Sequence, residues 1–392
     1  MSEWKKVRLG EIANYVNEKI DIKAFDTSLY ISTDSMLKDK GGIGTPESIP
    51  ESGKVTKYQH NDILVSNIRP YFKKIWFSNR EGGCSNDVLV FRANDNIDST
   101  FLYYVLSDDS FFDHIMSSAN GTKMPRGNRK LIPSFEINLP PLSTQHRIAT
   151  ILSRYDSLIE NYQKQIKLLE EAAQRLYKEW FVDLRFPGHE NTKIVDGVPE
   201  GWEKKKVKEV CDTTSGGTPS RSKTEFYTGD ILWVKTKELN DDFIFDTEEK
   251  ITEDAIRNSS AKMVPSGSIL MAMYGATIGK LGIATKELSC NQACCVFLLP
   301  EDSTLRLYLY NWLLNSRTLL ISMGKGAAQP NLSQDMIKNL EVVVPSSCLL
   351  AKFDSKVKPL YRIMSYHSSQ LRLLTEARDR LLPKLMSGEI EI

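Results

Sequence analysis

Apolar residues recur at alternating steps of three and four along two long stretches of the chain. The first stretch runs from Leu152 to Trp180, and the second from Leu360 to Leu385. This spacing puts the apolar side chains on one stripe of a helix, and a stripe kept for several heptads is typical of a coiled coil. We therefore predict two long helices with a seam formed by Tyr155, Ile159, Tyr162, Ile166, Leu169, Leu176, Leu360, Met364, Leu371, Leu374 and Leu381.

Prolines and glycines mark the predicted helix ends. Pro140 and Pro141 precede the first helix and Pro187 follows it, while Pro383 and Gly388 are expected to end the second. Each helix would have about 34 residues and a length of roughly 50 Å at 1.5 Å per residue. A helix of this length with an apolar seam needs a partner, and the two could pair either parallel or antiparallel. The antiparallel pairing would let one chain imitate a twofold dimer.

Between the helices the apolar runs are short and separated by turn residues. Five of them are predicted strands, and short helices are predicted at 100–118 and 304–322. Together they indicate an α+β class with small sheets. The predicted strands are 62–68, 88–93, 230–236, 268–274 and 294–299.

The chain is one unit of roughly 200 residues written twice. LLEEAAQRL (168–176) and LLTEARDRL (373–381) share six of nine residues, and CSNDVLVF (84–91) matches CNQACCVF (290–297). The offset changes only from 198 at Trp4 and Trp202 to 206 at Cys84 and Cys290. The predicted order is a first domain (1–140), a central helix (141–186), a linker (187–201), a second domain (202–345) and a C-terminal helix (346–392).

Composition excludes several classes of protein. The apolar runs are too short to span a bilayer and the first residues do not resemble a signal peptide, so we expect a cytoplasmic protein with no membrane partner. Six cysteines in 392 residues do not form a disulfide framework. Cys290, Cys294 and Cys295 lack a usual zinc spacing, so we predict no metal site and a buried strand instead.

Catalytic motifs are missing from the sequence. GTPSRSKT (217–224) approaches a phosphate-binding loop, but Ser222 replaces the last glycine, and a side chain there would crowd the backbone that must hold the phosphate. The five histidines are scattered, and none has the spacing of a metal site or a nucleophile. We therefore predict that this chain is not an enzyme and holds no cofactor.

Several loops combine basic and amide side chains, which suits binding to double-stranded DNA. Lys and Arg neutralise phosphates, and Asn, Gln, Ser and Arg can contact base edges. The net charge is only +1, so a DNA-binding face must be local. The loops recur at equivalent places in both copies with different sequences, as expected for two related domains with different targets. The candidates are Ser66, Asn67, Arg69, Lys73, Lys74, Lys123, Arg126, Asn128 and Arg129 in the first copy, and Thr218, Ser220, Arg221, Lys235, Lys237, Tyr274, Lys280, Gln329 and Asn331 in the second.

Taken together, LPPLSTQHRIATILSRYDSLIE (139–160), LLEEAAQRLYKEWFVD (168–183), DGVPEGW (196–202), GGTPS (216–220) and LLPKLMSGEIEI (381–392) resemble the specificity subunits of type I restriction–modification systems. The resemblance covers essentially the whole chain. It implies that each domain reads one half of a bipartite asymmetric DNA site, and that an antiparallel coiled coil sets the spacing. It also implies two methylase subunits carrying S-adenosylmethionine, and restriction subunits that use ATP and Mg for host defence.

A helix pair of this length is compatible with half-sites about 34 Å, or one DNA turn, apart. His367 and Arg378 interrupt the second seam, so they could either weaken the pairing or face a partner subunit. Two other functions remain open. The chain could be a pseudo-dimeric scaffold for partner proteins that does not read DNA, or an enzyme whose site has no recognisable motif.

Overall fold

The computed structural model describes residues 4–300, 302–324, 331–390 and 392. Among these residues, the α-helices of the first copy are α1 (Leu9–Ile12), α2 (Ser99–Ser107), α3 (Asp109–Ser117) and α4 (Leu142–Tyr177). Its strands are β1 (Lys5–Arg8), β2 (Ala13–Tyr15), β3 (Lys19–Asp21), β4 (Lys54–Tyr58), β5 (Ile63–Ser66), β6 (Ile75–Phe77), β7 (Gly82–Cys84), β8 (Val88–Ala93) and β9 (Glu136–Leu139).

The second copy repeats this order with additions. Its helices are α5 (Val207–Val210), α6 (Glu253–Arg257), α7 (Leu305–Asn315), α8 (Arg317–Met323), α9 (Gln334–Lys338) and α10 (Ser347–Ser387). A β-hairpin of β10 (Ile194–Val195) and β11 (Val198–Pro199) precedes it. The other strands are β12 (Glu203–Lys206), β13 (Asp212–Ser215), β14 (Ile231–Val234), β15 (Asp242–Ile244), β16 (Lys250–Ile251), β17 (Ile269–Ala272), β18 (Leu281–Ala284), β19 (Ser289–Cys290), β20 (Cys294–Leu298) and β21 (Glu341–Val344).

The sheets show the duplication directly. The main sheet of the first copy has the order β2-β8-β5-β6, and that of the second has the order β13-β20-β17-β18 with β15 added at its edge. In each copy the first strand pairs antiparallel with the last, Lys5 with Leu139 and Glu203 with Val344. The fold is therefore the predicted α+β class, with two repeated small-sheet domains.

The chain divides into two compact units. The first comprises the described residues up to Ile159 and those from Leu373 onward, and the second comprises Glu160–Arg372. Each unit thus includes part of α4 and part of α10. The boundaries predicted from the sequence separate the domains from the helices instead, and they remain a prediction.

Within the first unit, α4 and α10 run antiparallel. The Asp156 carboxylate of α4 contacts the Arg378 guanidinium of α10 at 2.8 Å, and nearer the start of α4 the Arg147 guanidinium donates to the Ile392 carbonyl at 3.1 Å. Arg378, which interrupts the predicted seam, is therefore held by an intramolecular ion pair. Leu152 of α4 and Leu382 of α10 lie in the same core as the main sheet.

Within the second unit, the same two helices again run antiparallel. The Tyr162 and His367 rings lie 4.7 Å apart, and the Tyr177 ring packs against Phe353 at 6.3 Å. His367 thus also contacts the other helix. All eleven predicted seam residues are buried or half-buried.

The second long helix continues beyond its predicted end. Pro383 lies inside α10, which has 41 residues and ends only at Ser387, and Gly388 then turns the chain with φ +74°. A proline inside a helix costs about 3 kcal/mol through its missing N–H and a steric clash. Burial of Leu382 and Leu385 on either side offsets that cost, so the prediction that Pro383 ends the helix was wrong and the prediction for Gly388 was right.

Candidate nucleic-acid interface

Two predicted loops of the first unit lie side by side. The Arg69 N–H donates to the Pro125 carbonyl at 2.8 Å, and the Gly127 N–H donates to the Asn67 carbonyl at 3.3 Å. Ile68 and Arg126 also form an isolated β-bridge. The loops at 66–74 and 121–130, more than 45 residues apart in the sequence, therefore form one surface.

The second unit joins its matching loops in the same way. The Leu332 N–H donates to the Met273 carbonyl at 2.9 Å, and Tyr274 bridges to Asn331. Tyr274 and Asn331 are both exposed, as a DNA contact requires. Gln329, predicted for the same surface, lies outside the described residues.

A short turn that sequence reasoning missed completes each surface. In the first unit the Asn67 N–H donates to the Asp87 carbonyl at 2.9 Å, and in the second unit the Met273 N–H donates to the Ala293 carbonyl at 2.9 Å. The turn at 85–87 follows Cys84 and the turn at 291–293 follows Cys290. The repeated segments CSND and CNQA mark both turns in the sequence, but they served only to establish the duplication.

Three cations of the first unit converge on its turn at 85–87. The Lys19 ammonium donates to Asn86 Oδ1 at 2.6 Å, the Arg129 guanidinium donates to the Asn86 carbonyl at 2.5 Å, and the Arg126 guanidinium contacts the Asp87 carboxylate at 3.1 Å. Arg126 and Arg129 are exposed, and so is Lys123 in the same loop. Lys19 was absent from the predicted set because it lies on β3, far from the other two in sequence.

The turn at 291–293 links the remaining predicted segments of the second unit. The Asn291 N–H donates to the Val234 carbonyl at 2.9 Å, which brings Lys235 and Lys237 close to it. The Thr218 hydroxyl donates to Gln292 Oε1, and the Ser220 and Ser222 hydroxyls lie 2.8 Å apart. Thr218 and Lys235 therefore lie beside this turn, and Arg221 is linked to Lys235 through Glu249.

Glutamates neutralise the cations of this second surface. Arg221 contacts Glu249 at 2.8 Å and stacks on the Tyr227 ring at 4.3 Å. Lys235 contacts Glu249 at 2.9 Å, and Lys237 pairs with Glu248. Hydrogen bonds from Lys237 and Lys235 lower the pKa of the Glu248 carboxyl, so it stays charged. A DNA phosphate would have to compete with these carboxylates, whereas the exposed amides and hydroxyls nearby are open to base edges.

Three predicted lysines contact their own protein. The Lys73 ammonium pairs with Asp109 at 2.7 Å, and the Lys74 ammonium donates to the Thr33 carbonyl at 2.6 Å. Burial lowers the pKa of Lys74. In the second unit the Lys280 ammonium pairs with Asp241 at 2.6 Å. Each of these contacts fixes a loop, so none of the three is a free cation for DNA phosphate.

Three other candidates shape the first surface from within. Ser66 is 2 % exposed and Asn67 is 6 % exposed. The Ser66 hydroxyl donates to the Ile68 carbonyl at 3.1 Å, and Asn128 Oδ1 accepts from the Lys130 N–H at 3.0 Å. Ser66 and Asn67, which were predicted as DNA contacts, are thus buried beneath the loop surface.

Arg69 is half-buried beside these residues and is a stronger candidate for contact with a ligand. Its Nε is buried and has no hydrogen-bond partner among the described residues. A buried donor without a partner is costly. Such a group is expected where a ligand supplies the missing acceptor.

The described residues contain neither a membrane-spanning helix nor a cluster of metal ligands. No helix there is both long and apolar enough to cross a bilayer. No group of three or more His, Cys, Asp or Glu side chains is arranged to hold a metal ion within residues 4–300, 302–324, 331–390 and 392. Cys290, Cys294 and Cys295 are buried, and burial raises the pKa of the Cys295 thiol to about 12, so that thiol is protonated at neutral pH.

The fold and its paired loops define a duplicated domain with one exposed loop surface in each copy. Two segments of the chain, residues 1–171 and 199–348, match the profile of the family described as type I restriction modification DNA specificity domain. These segments cover most of the 392 residues. The chain belongs to this family.

Individual relatives agree with this assignment. The chain is 27 % identical to the type I restriction enzyme HindI specificity subunit of Haemophilus influenzae, with all of both chains covered. It is 28 % identical to the MjaIX specificity subunit of Methanocaldococcus jannaschii, over 76 % of this chain and 70 % of that one. The crystal structure of a type I S subunit from M. genitalium matches with a TM-score of 0.65 at 17 % identity, covering 97 % of this chain and 96 % of the other, which shows a common fold.

Proposed function

We propose that this chain is the DNA-reading specificity subunit of a type I restriction–modification complex, in which each domain reads one half of a bipartite site. The observation that carries the proposal is the pair of equivalent loop surfaces. Their hydrogen-bonded framework is the same in both copies, but the side chains on it differ. A common framework with different side chains suits two domains that bind DNA in the same manner and contact different bases.

The chemistry would be carried out by partner subunits. Two methylase subunits would bring S-adenosylmethionine, and restriction subunits would use ATP and Mg. The long helices, of 36 and 41 residues, would dock the methylases and set the distance between the half-sites. A subunit that reads the host's DNA in this way would act in the cytoplasm.

The test is to produce the chain with its methylase subunits in a host without DNA methylation and to map N6-methyladenine across the genome. We expect one bipartite motif with a fixed spacer, which disappears when this chain is omitted. Exchange of residues 1–140 for those of a relative should change one half of the motif only. A change in both halves, or in neither, would contradict the assignment of one half-site to each domain.

The scaffold alternative predicts a different result. A chain that only assembles partner proteins would form the complex, but methylation would not depend on its sequence. It would also show no salt-dependent affinity for duplex DNA, because it would release no counterions from phosphates.

A further inference from the structure

The loop at 66–74 in the first copy and the loop at 272–280 in the second are closed by the same hydrogen bond. The Ser66 N–H donates to the Lys74 carbonyl at 3.0 Å, and the Ala272 N–H donates to the Lys280 carbonyl at 2.9 Å. These two loops, called here the recognition loops, lie against the start of α3 and α8 respectively. The first residue of that helix is Asp109 in one copy and Arg317 in the other.

Asp109 holds the end of its recognition loop with its carboxylate. Asp109 Oδ2 lies 2.7 Å from the Lys73 ammonium, and Oδ1 lies 3.1 Å from the Lys40 ammonium. Lys40 is itself tied to the loop, because its N–H donates to the Lys73 carbonyl at 3.0 Å. One acid therefore bridges two bases at this point.

Arg317 holds the equivalent end of the second recognition loop with a side chain of the opposite charge. Its Nε donates to the Gly279 carbonyl at 2.9 Å, and its Nη1 donates to Asp241 Oδ2 at 3.1 Å. Asp241 also accepts from the Lys280 ammonium at 2.6 Å and from the Leu281 N–H at 3.0 Å. Here a base on the helix reaches the loop directly and through an acid.

The two networks share a third structural feature. Lys40 and Asp241 each precede the recognition loop of their own copy in the sequence, and each has a left-handed backbone, with φ 60° and 67°. A left-handed residue other than glycine costs about 1–2 kcal/mol. Both residues bear this cost, and both contact the helix and the loop.

We propose that Asp109 and Arg317 are equivalent positioning residues of opposite charge, each of which fixes the recognition loop of its own domain for base readout. This proposal rests on the proposed function. Lys73 and Lys280, first selected as DNA ligands, then act on the loop instead of on phosphate. Other side chains of the two recognition loops, such as Arg69 in the first and Tyr274 in the second, are the ones presented to DNA.

The opposite charges permit a test by the sign of the effect. If the two residues acted only through the electrostatic field, Asp109→Ala would strengthen binding to a polyanion and Arg317→Ala would weaken it. If they position the loops, both substitutions weaken sequence-specific binding. Each should also affect only the half-site read by its own domain.

The experiment uses the full chain assembled with its methylase subunits and a duplex carrying the mapped site. Binding is measured for each variant on that duplex and on duplexes with one half-site scrambled. We expect both substitutions to weaken binding to the intact site about tenfold, at the low end of the cost of losing one base contact. Tighter binding by Asp109→Ala, or an equal effect on both half-sites, would overturn the proposal.

Matched variants separate charge from position. Asp113→Ala removes an exposed carboxylate from the same helix as Asp109, and it should leave half-site selection unchanged. Arg317→Lys keeps the charge but cannot reproduce the bond geometry of the guanidinium, so it should behave like Arg317→Ala. Recovery of full selectivity with Arg317→Lys would show that charge alone is sufficient.

Hydrogen exchange gives a second readout that does not depend on DNA. In the full chain, Asp109→Ala should speed exchange of the Ser66 and Arg69 amides, while the core strand β8 stays protected. Unchanged exchange would overturn the positioning role even if binding fell. If the unsubstituted complex selected no sequence, the proposed function would fail, and the exchange result would still decide whether Asp109 fixes the loop.

Discussion

The two recognition loops have the same length and closing bond, but they differ at their left-handed positions. In the second copy these positions are Gly275 and Gly279, with φ 72° and 77°. In the first copy they are Arg69 and Lys73, both with φ 49°. Glycine adopts this conformation without steric cost, whereas other residues lose about 1–2 kcal/mol. The first loop therefore keeps two basic side chains against a backbone preference that the second loop satisfies.

This difference distinguishes the backbone conformation that both loops share from the side chains that only one loop carries. Both frameworks need a left-handed turn at these positions, and only the first uses the side chains located there. Lys73 reaches Asp109, while the buried Nε of Arg69 has no partner among the described residues. Strain of this kind is typical of functional sites.

The core beneath the loops differs as well. In the first copy the Asp62 carboxylate, 1 % exposed, receives two bonds from Arg92 at 2.8 and 2.7 Å and one from the Gln59 N–H at 2.8 Å. Ser268 occupies the matching position in the second copy and is also buried. The first copy thus depends on a buried charge that the second does without.

The largest expected effect comes from removing that charge. Asp62→Ala should lower the free energy of unfolding of the first unit by about 3 kcal/mol, because it leaves the Arg92 guanidinium and a backbone N–H without their acceptor. Ser268→Ala should cost less than about 1 kcal/mol, as expected for a neutral hydroxyl. Hydrogen exchange of the β5 amides under denaturant measures the first, and exchange of the β17 amides measures the second. Equal losses would contradict the comparison.

The next effect concerns DNA. Arg126→Ala and Arg69→Ala should each weaken binding of the complex to its site by about 1–3 kcal/mol if the arginine contacts guanine. A loss confined to one base position identifies base readout, and a uniform loss across sequences identifies phosphate contact. Lys54→Ala, which removes an exposed cation from β4, is the matched control and should change affinity little.

A smaller effect tests the strain at the loop. Arg69→Gly should raise the free energy of unfolding of the first unit by about 1 kcal/mol, because glycine relieves the left-handed backbone. The same substitution should weaken DNA binding as Arg69→Ala does. Asn61→Gly, at φ 69° outside the loop, should leave binding unchanged. A variant that lost both stability and binding would show that Arg69 serves the fold.

The smallest effect is a pH dependence in the second unit. Burial, with Asp242 and Asp241 nearby, raises the pKa of the Glu170 carboxyl from 4.5 to about 7, and Lys280 only partly opposes this. Because the folded pKa is the higher one, the contribution of this group to stability is fully present below pH 4.5 and is lost as the pH rises towards 7. Burial also raises the pKa of Asp242, with the same sign.

Glu170→Gln should therefore flatten the decline in unfolding free energy between about pH 5 and pH 7. Urea unfolding of the second unit at several pH values measures this. Asp354→Asn removes a half-buried carboxyl on α10 of the same unit and serves as the comparison. Asp241 and Asp242 are not among the groups that shift the pKa of Asp354. If the unfolding free energy of the Glu170→Gln variant fell as steeply with pH as that of the unsubstituted chain, another group would cause the pH dependence.

The sequence alone determined the duplication, the two long helices and the α+β class. These follow from periodicity and from matched segments, which are local properties of the chain. The duplication also identified the loops at 66–74 and 272–280 as equivalent. Equivalent segments lie at equivalent places in two copies of one fold, so the two loops occupy matching positions.

Only the tertiary structure decided which cations are available to DNA. Lys73, Lys74 and Lys280 look alike in sequence to Arg126 and Arg129, and all five contact segments about 36 to 43 residues away along the chain. The three lysines are half-buried by the fold, whereas the two arginines stay exposed. Pro383 was likewise overridden by burial on both sides, and Lys19 joined the surface from a distant strand. Ion pairs, burial and left-handed turns depend on contacts between remote segments, and no local pattern of residues specifies them.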